Sequence, residues 1–143
     1  MEENFYESSI RHWLDGKILE ESGEYDNAVC MQGFAAECAL KRILLTGLSE
    51  NMIRKYNHDI ESLLQGLVTM MTGDHKLFSL IDPACGLRLS QLHLSRILFA
   101  DHPERRYYPD GTYTNTDAQS CRESAEQILN EMFSMYIDGY ISN

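Results

Sequence analysis

The residues from Gly23 to Gly47, GEYDNAVCMQGFAAECALKRILLTG, constrain this chain more than any others, because they form the one long segment that can be buried nearly all round. Between Ala28 and Leu45 only Gln32, Glu37, Lys41 and Arg42 are strongly polar, and no proline interrupts the run, so the pattern predicts a helix of about five turns. Asp26 or Asn27 is placed to cap its first amides, and Gly47 to end it in the left-handed conformation. A helix apolar on several faces has to be covered by other helices.

The flanking sequence supplies them. Ile10, Trp13, Leu14 and Ile18 form a helical stripe closed by Gly23, which predicts a first helix packed antiparallel on the central one. Ser49 is a cap for a short helical piece, ENMIRKY. Asp59 caps a third main helix with Leu63, Leu64, Leu67 and Met71 on its apolar side, broken at TGDH. Asp82-Pro83 reads as an N-cap with proline at the first helical position, opening a helix from 83 to 100. The segment from Ala100 to Asn115 changes to ADHPERRYYPDGTYTN and is the longest loop. Thr116-x-x-Gln119 is a capping box for a last helix ending near Asp138-Gly139. No strand-like alternation competes, and the expectation is one all-α domain over 1–143, an up-and-down bundle of four to five helices.

With 143 residues the chain buries enough surface to fold without staples. Cys30, Cys38, Cys85 and Cys121 form no C-x-x-C pair and read as buried free thiols. The start is acidic and unlike a secretion signal, and no run approaches about 18 apolar residues, which predicts a soluble, cytoplasmic chain that does not cross a membrane. A net charge of −10 makes the chain a poor autonomous binder of nucleic acid, although a local basic patch can still act.

Several pieces resemble the HEPN family when taken in order: Gly23 to Ala28 leading into Ala35 to Lys41, Asn57-His58-Asp59-Ile60 with Leu63-Leu64, and Arg106-Tyr107 with Pro109-Asp110 ahead of a helix containing Ala118, Ala125 and Ile128-Leu129. The resemblance covers roughly residues 10 to 135. It implies a helical bundle that forms a homodimer, a role near nucleotides or nucleic acid, and a nucleotidyltransferase-type partner protein. The family also includes ribonuclease toxins of toxin-antitoxin pairs, so the alternative it implies is a metal-independent endoribonuclease.

Those ribonucleases resemble one another in an arginine, usually followed by a polar residue, with a histidine after four to six intervening positions. The histidine moves protons and the arginine stabilises charge on phosphate. Arg88 with His93 and Arg96 with His102 fit the spacing, but Leu89 and Ile97 occupy the polar position. About 0.8 such pairs are expected by chance from the arginine and histidine content, so the spacing alone assigns no catalytic residue.

Arg105, Arg106, Tyr107 and Tyr108 are the candidate ligand-binding group, since guanidiniums beside aromatic rings grip phosphate and stack on bases. The competing reading pairs these arginines with carboxylates, Arg106 reaching Glu37 or Asp59 while Tyr107 plugs the core. Glu37 and Lys41 are spaced for a helical ion pair, and His58 beside Asp59 for a bond to a neighbouring helix. His12, His58, His75, His93 and His102 show no metal-ligand spacing, so no metal and no cofactor is expected. Tyr25 and Tyr113, with Met70, Met71, Met132 and Met135, are read as core and interface filling, the last two on a dimer face.

Overall fold

The computed structural model describes residues 2–72 and 83–142. Seven α-helices occur among them: α1 (Phe5–Glu21), α2 (Tyr25–Leu44), α3 (Glu50–Arg54), α4 (Ile60–Thr72), α5 (Pro83–Ser90), α6 (Arg96–Phe99) and α7 (Asn115–Ile137), with a 3-10 turn at Glu104–Tyr107. The described residues contain no strand. The expected break at Gly73-Asp74-His75, the Asp82 cap and the side chain of Met71 lie outside the described residues.

The central rod is α2. From Ala28 to Leu44 nearly every residue is buried, with α1, α7, α4 and α6 packed around it. Leu40, Ile43 and Leu44 meet Leu63 and Leu67 of α4 and Ile128, Leu129 and Met132 of α7 in one core. Met132 and Met135 belong to that core, at 0% and 2% exposure, so neither lies on a dimer face.

The helix termini depart from expectation in an instructive way. No side chain caps α2; Asp26 instead turns outward and accepts from the Gly111 and Tyr113 amides at 2.7 and 2.8 Å, tying the long loop to the rod. Gly47 does not adopt the left-handed conformation; α2 winds into a tight turn through Leu45. Gly23, with φ +80°, does adopt it, between α1 and α2. The capping box of α7 is Thr114 with Asp117, two residues before the expected one. Ser49 and Asp59 cap α3 and α4 as expected, accepting from the Met52 and Ser62 amides.

The expected stripe of α1 is rotated. Leu14 and Ile18 are 45% and 61% exposed, while Trp13 packs against the core with Phe5, Tyr6 and Leu19, and the buried positions are Ser9 and Gly16. A Cβ on Gly16 would lie 2.5 Å from the Gln32 amide nitrogen, which donates to the Trp13 carbonyl, so α1 rests on α2 by its small residues. The expected helix over 83–100 divides into α5 and α6. Ser95 starts afresh there, its hydroxyl accepting from the Ile97 amide while its own amide donates to Ser124 Oγ on α7 at 2.7 Å.

Candidate functional site

Polar side chains from three separate elements meet on Glu37, in the middle of α2. Lys41, one turn on, donates to Oε2 at 2.9 Å. His58, in the link between α3 and α4, places Nδ1 3.0 Å from Oε1 and 3.1 Å from Oε2. His102, in the link after α6, places Nε2 2.8 Å from Oε1. Each histidine follows a residue in the left-handed conformation, Asn57 (φ 52°) and Asp101 (φ 63°), and those reversals aim the two rings at α2.

The rod is shaped to receive them. Phe34 packs edge-on against both imidazoles, its centroid 4.7 Å from His102 and 6.2 Å from His58. A Cβ on Gly33 would lie 2.6 Å from His102 Nδ1 and collide with the Arg105 guanidinium, so the absence of a side chain lets the 101–107 segment lie against the helix. Arg105 is buried. It donates from Nη1 to the Ile97 and Ala100 carbonyls and from Nη2 to Leu98 at 3.0 Å, holding the carbonyl end of α6 that the helix leaves unpaired.

Burial alone would push the Glu37 carboxyl up. Hydrogen bonds from His102, Lys41 and His58, with the Lys41 charge, outweigh burial and hold it at about 2, so it is a carboxylate that only accepts. His102 is pushed down from its usual range by burial, opposed by its bond to Glu37, and the Arg105 charge adds to the fall. Both histidines therefore donate to Glu37. The His58 ring is half exposed, and His102 keeps a buried Nδ1 that has no hydrogen-bond partner.

Beside the cluster lies a cleft of about 620 Å³ lined by Lys55, Asn57, His58, Asp59, His102, Pro103 and Glu104, among others. The 3-10 turn that forms one side of it continues into Arg106, Tyr107 and Tyr108, all exposed. Tyr107 is 79% exposed, with the Arg106 guanidinium 5.1 Å from its ring centroid.

The sequence-derived candidates thus fall into two sets. Glu37 and Lys41 pair one turn apart on α2, His58 bonds Glu37 from a separate link, and Asp59 stays at the α4 cap, 2.8 Å from Ser62 Oγ. Arg106 does not reach Glu37 or Asp59, and Tyr107 does not plug the core. Arg105 is the arginine that turns inward, because successive side chains of a 3-10 turn point about 120° apart and its direction is the one that faces α2 and α6, and it is absent from the exposed group. Arg88 engages Glu131 through Nε and Nη2 at 3.1 and 3.0 Å, while His93 is exposed and its carbonyl accepts from Gln127. Arg96 is exposed and the His102 side chain, at 1% exposure, is turned onto Glu37.

Spacing along the chain also missed the donor set that gathers on Glu37 among the described residues. His58 and His102 are far apart in sequence, yet the fold brings them to one carboxylate, with one ligand atom from each of Glu37, His58 and His102 all within 4.8 Å of one another. The available signal was Gly33, a glycine inside a buried helix where something has to approach closely.

Residues 3–135 match the family model described as the HEPN domain. No curated protein and no solved structure matches the chain. Among the described residues no helix is long and apolar enough to cross a membrane.

Proposed function

The chain belongs to the HEPN family, and on that premise we propose that it is a binding module which takes a nucleotide or a single strand of RNA on Arg106, Tyr107 and Tyr108, acting as a homodimer beside a nucleotidyltransferase-type partner protein. The observation that carries this reading is the exposed Tyr107 ring with Arg106 over it. An aromatic ring left in water on a turn anchored by the buried Arg105 is a stacking platform, and each stacked base is worth about 1–3 kcal/mol. Arg106 adds a charge for phosphate where the body of the protein, at −10, repels it. Attraction is therefore local, and binding weakens steeply with salt.

The test is equilibrium binding of a nucleotide panel and of labelled single-stranded RNA to the full chain, beside Arg106→Ala and Tyr107→Ala. Saturable binding that Tyr107→Ala weakens by roughly tenfold, without moving the melting temperature, is the expected result. Binding that both variants leave unchanged, or no binding at all, overturns it. Co-purification with a nucleotidyltransferase-type protein encoded beside it tests the partner separately.

A further inference from the structure

We propose that Glu37, His58 and His102 form a binding site for a divalent transition-metal ion, with Zn2+ the ion that the two-imidazole, one-carboxylate donor set suits best. The ligand atoms are Glu37 Oε1, His58 Nδ1 and His102 Nε2, one from each of three elements, and all lie within 4.8 Å of one another. Since these nitrogens donate to Glu37 when no ion is bound, metal binding moves each imidazole proton to the other ring nitrogen, Nε2 of His58 and Nδ1 of His102. Oε1 is already the common point, 2.8 Å from His102 and 3.0 Å from His58. Tetrahedral Zn2+ with bonds of about 2.0–2.1 Å sets its ligand atoms roughly 3.3 Å apart, so the two contacts to Oε1 open by up to about half an ångström while the two imidazole nitrogens, within 4.8 Å of each other, draw together.

The surroundings suit three protein ligands and an open fourth position. Two ligands are fixed, since Glu37 sits on the rigid rod and His102 is wedged against Phe34 and Gly33. His58 is half exposed and shares the cleft wall with His102, so water reaches the remaining coordination position from that side.

Lys41 is the element that works against a cation. Its ammonium stays on Oε2 at 2.9 Å, which leaves Oε1 as a single donor and places a like charge near the ion. The affinity is accordingly lower than that of a dedicated structural zinc site. Asp59 and Glu104 on the cleft wall offset part of that repulsion. This inference does not depend on the stacking platform, which uses other residues.

The test uses the full chain stripped with chelator, titrated calorimetrically with zinc chloride and followed in parallel by the visible absorption of Co2+. One ion per chain and a tetrahedral Co2+ spectrum free of thiolate charge transfer are expected. His58→Ala, at the most exposed ligand, should weaken Zn2+ by at least about tenfold while keeping the helical circular dichroism. If that variant folds poorly, His58→Gln serves in its place. Lys41→Met should strengthen binding, a change of sign that a purely hydrogen-bonded hub does not produce. The absence of saturable binding, Zn2+ affinity unchanged in both His58 variants, or a thiolate band placing the ion on cysteine would each overturn the proposal.

Discussion

Glu37 is a buried carboxylate whose oxygens are shared among a lysine and two imidazoles. Converting it to an amide leaves the buried Lys41 ammonium uncompensated, and breaking a buried pair in this way costs about 3–5 kcal/mol. Glu37→Gln should therefore lower the denaturant midpoint sharply, and in chelator-treated protein it should also change the acid response. The folded carboxyl titrates at about 2 against an ordinary 4.5, so its stabilisation is complete above about 4.5 and is lost as pH falls towards 2. His102 resists protonation when folded, whereas the unfolded chain takes up that proton below 6.5, so acid costs stability there too. The gap in melting temperature between wild type and Glu37→Gln should shrink from about pH 5 to about pH 2.5, and a constant gap would refute this account. Gly33→Ala pits two effects against each other. Alanine favours a helix by about 1 kcal/mol over glycine, but the added carbon overlaps His102 and Arg105, and forcing a packed site apart costs about 1–3 kcal/mol. Because carbonyl bonds fix Arg105, destabilisation should win, as thermal unfolding would report. The Glu37–Lys41 spacing was legible in the sequence because a helix puts positions four apart on one face. His102 was not, since only a folded loop brings it to Glu37.

Among the elements, the central rod was readable because its apolar residues run through every face, and nothing short of all-round burial satisfies that pattern. Its neighbours were less so. For α1 only part of the apolar stripe turned inward: Trp13 packs on the core, whereas Leu14 and Ile18 stay exposed because the closest approach to α2 falls at Gly16. For α7, Thr114-x-x-Asp117 and Thr116-x-x-Gln119 are both capping sequences. A contact distant in sequence accompanies the earlier one: Asp26 holds the Tyr113 amide, so the loop ends immediately before Thr114. Local chemistry offers two starts and this long-range hydrogen bond favours one. Asp26→Ala should then loosen the loop without melting the bundle. Hydrogen exchange at the Gly111 and Tyr113 amides should rise at least about tenfold, in line with the 1.5–3 kcal/mol typical of a bond to a charged group, while exchange in α2 stays slow. Equal acceleration in α2 would mean that the clamp supports the whole bundle rather than the loop.

For the molecule as a whole, the proposed dimer requires an apolar face, and the methionines expected to supply it are spent in the core. Leu14 and Ile18 remain in water one helical turn apart on α1, a pair that burial against α2 leaves unused. Two copies each at −10 repel, so apolar burial between them has to overcome that charge, and added salt should favour association by screening it. Leu14→Glu with Ile18→Glu adds two carboxylates per chain to this face and removes its apolar surface. Both positions are substantially exposed, so the folded monomer should lose little, within about 0.5 kcal/mol per site. Light scattering at micromolar concentration should find a dimer for wild type and a monomer for the double variant, with similar melting temperatures at low protein concentration. A wild-type monomer would remove the dimer, whereas a double variant that still pairs would move the interface to another face, such as the exposed Tyr136 and Ile137 at the end of α7.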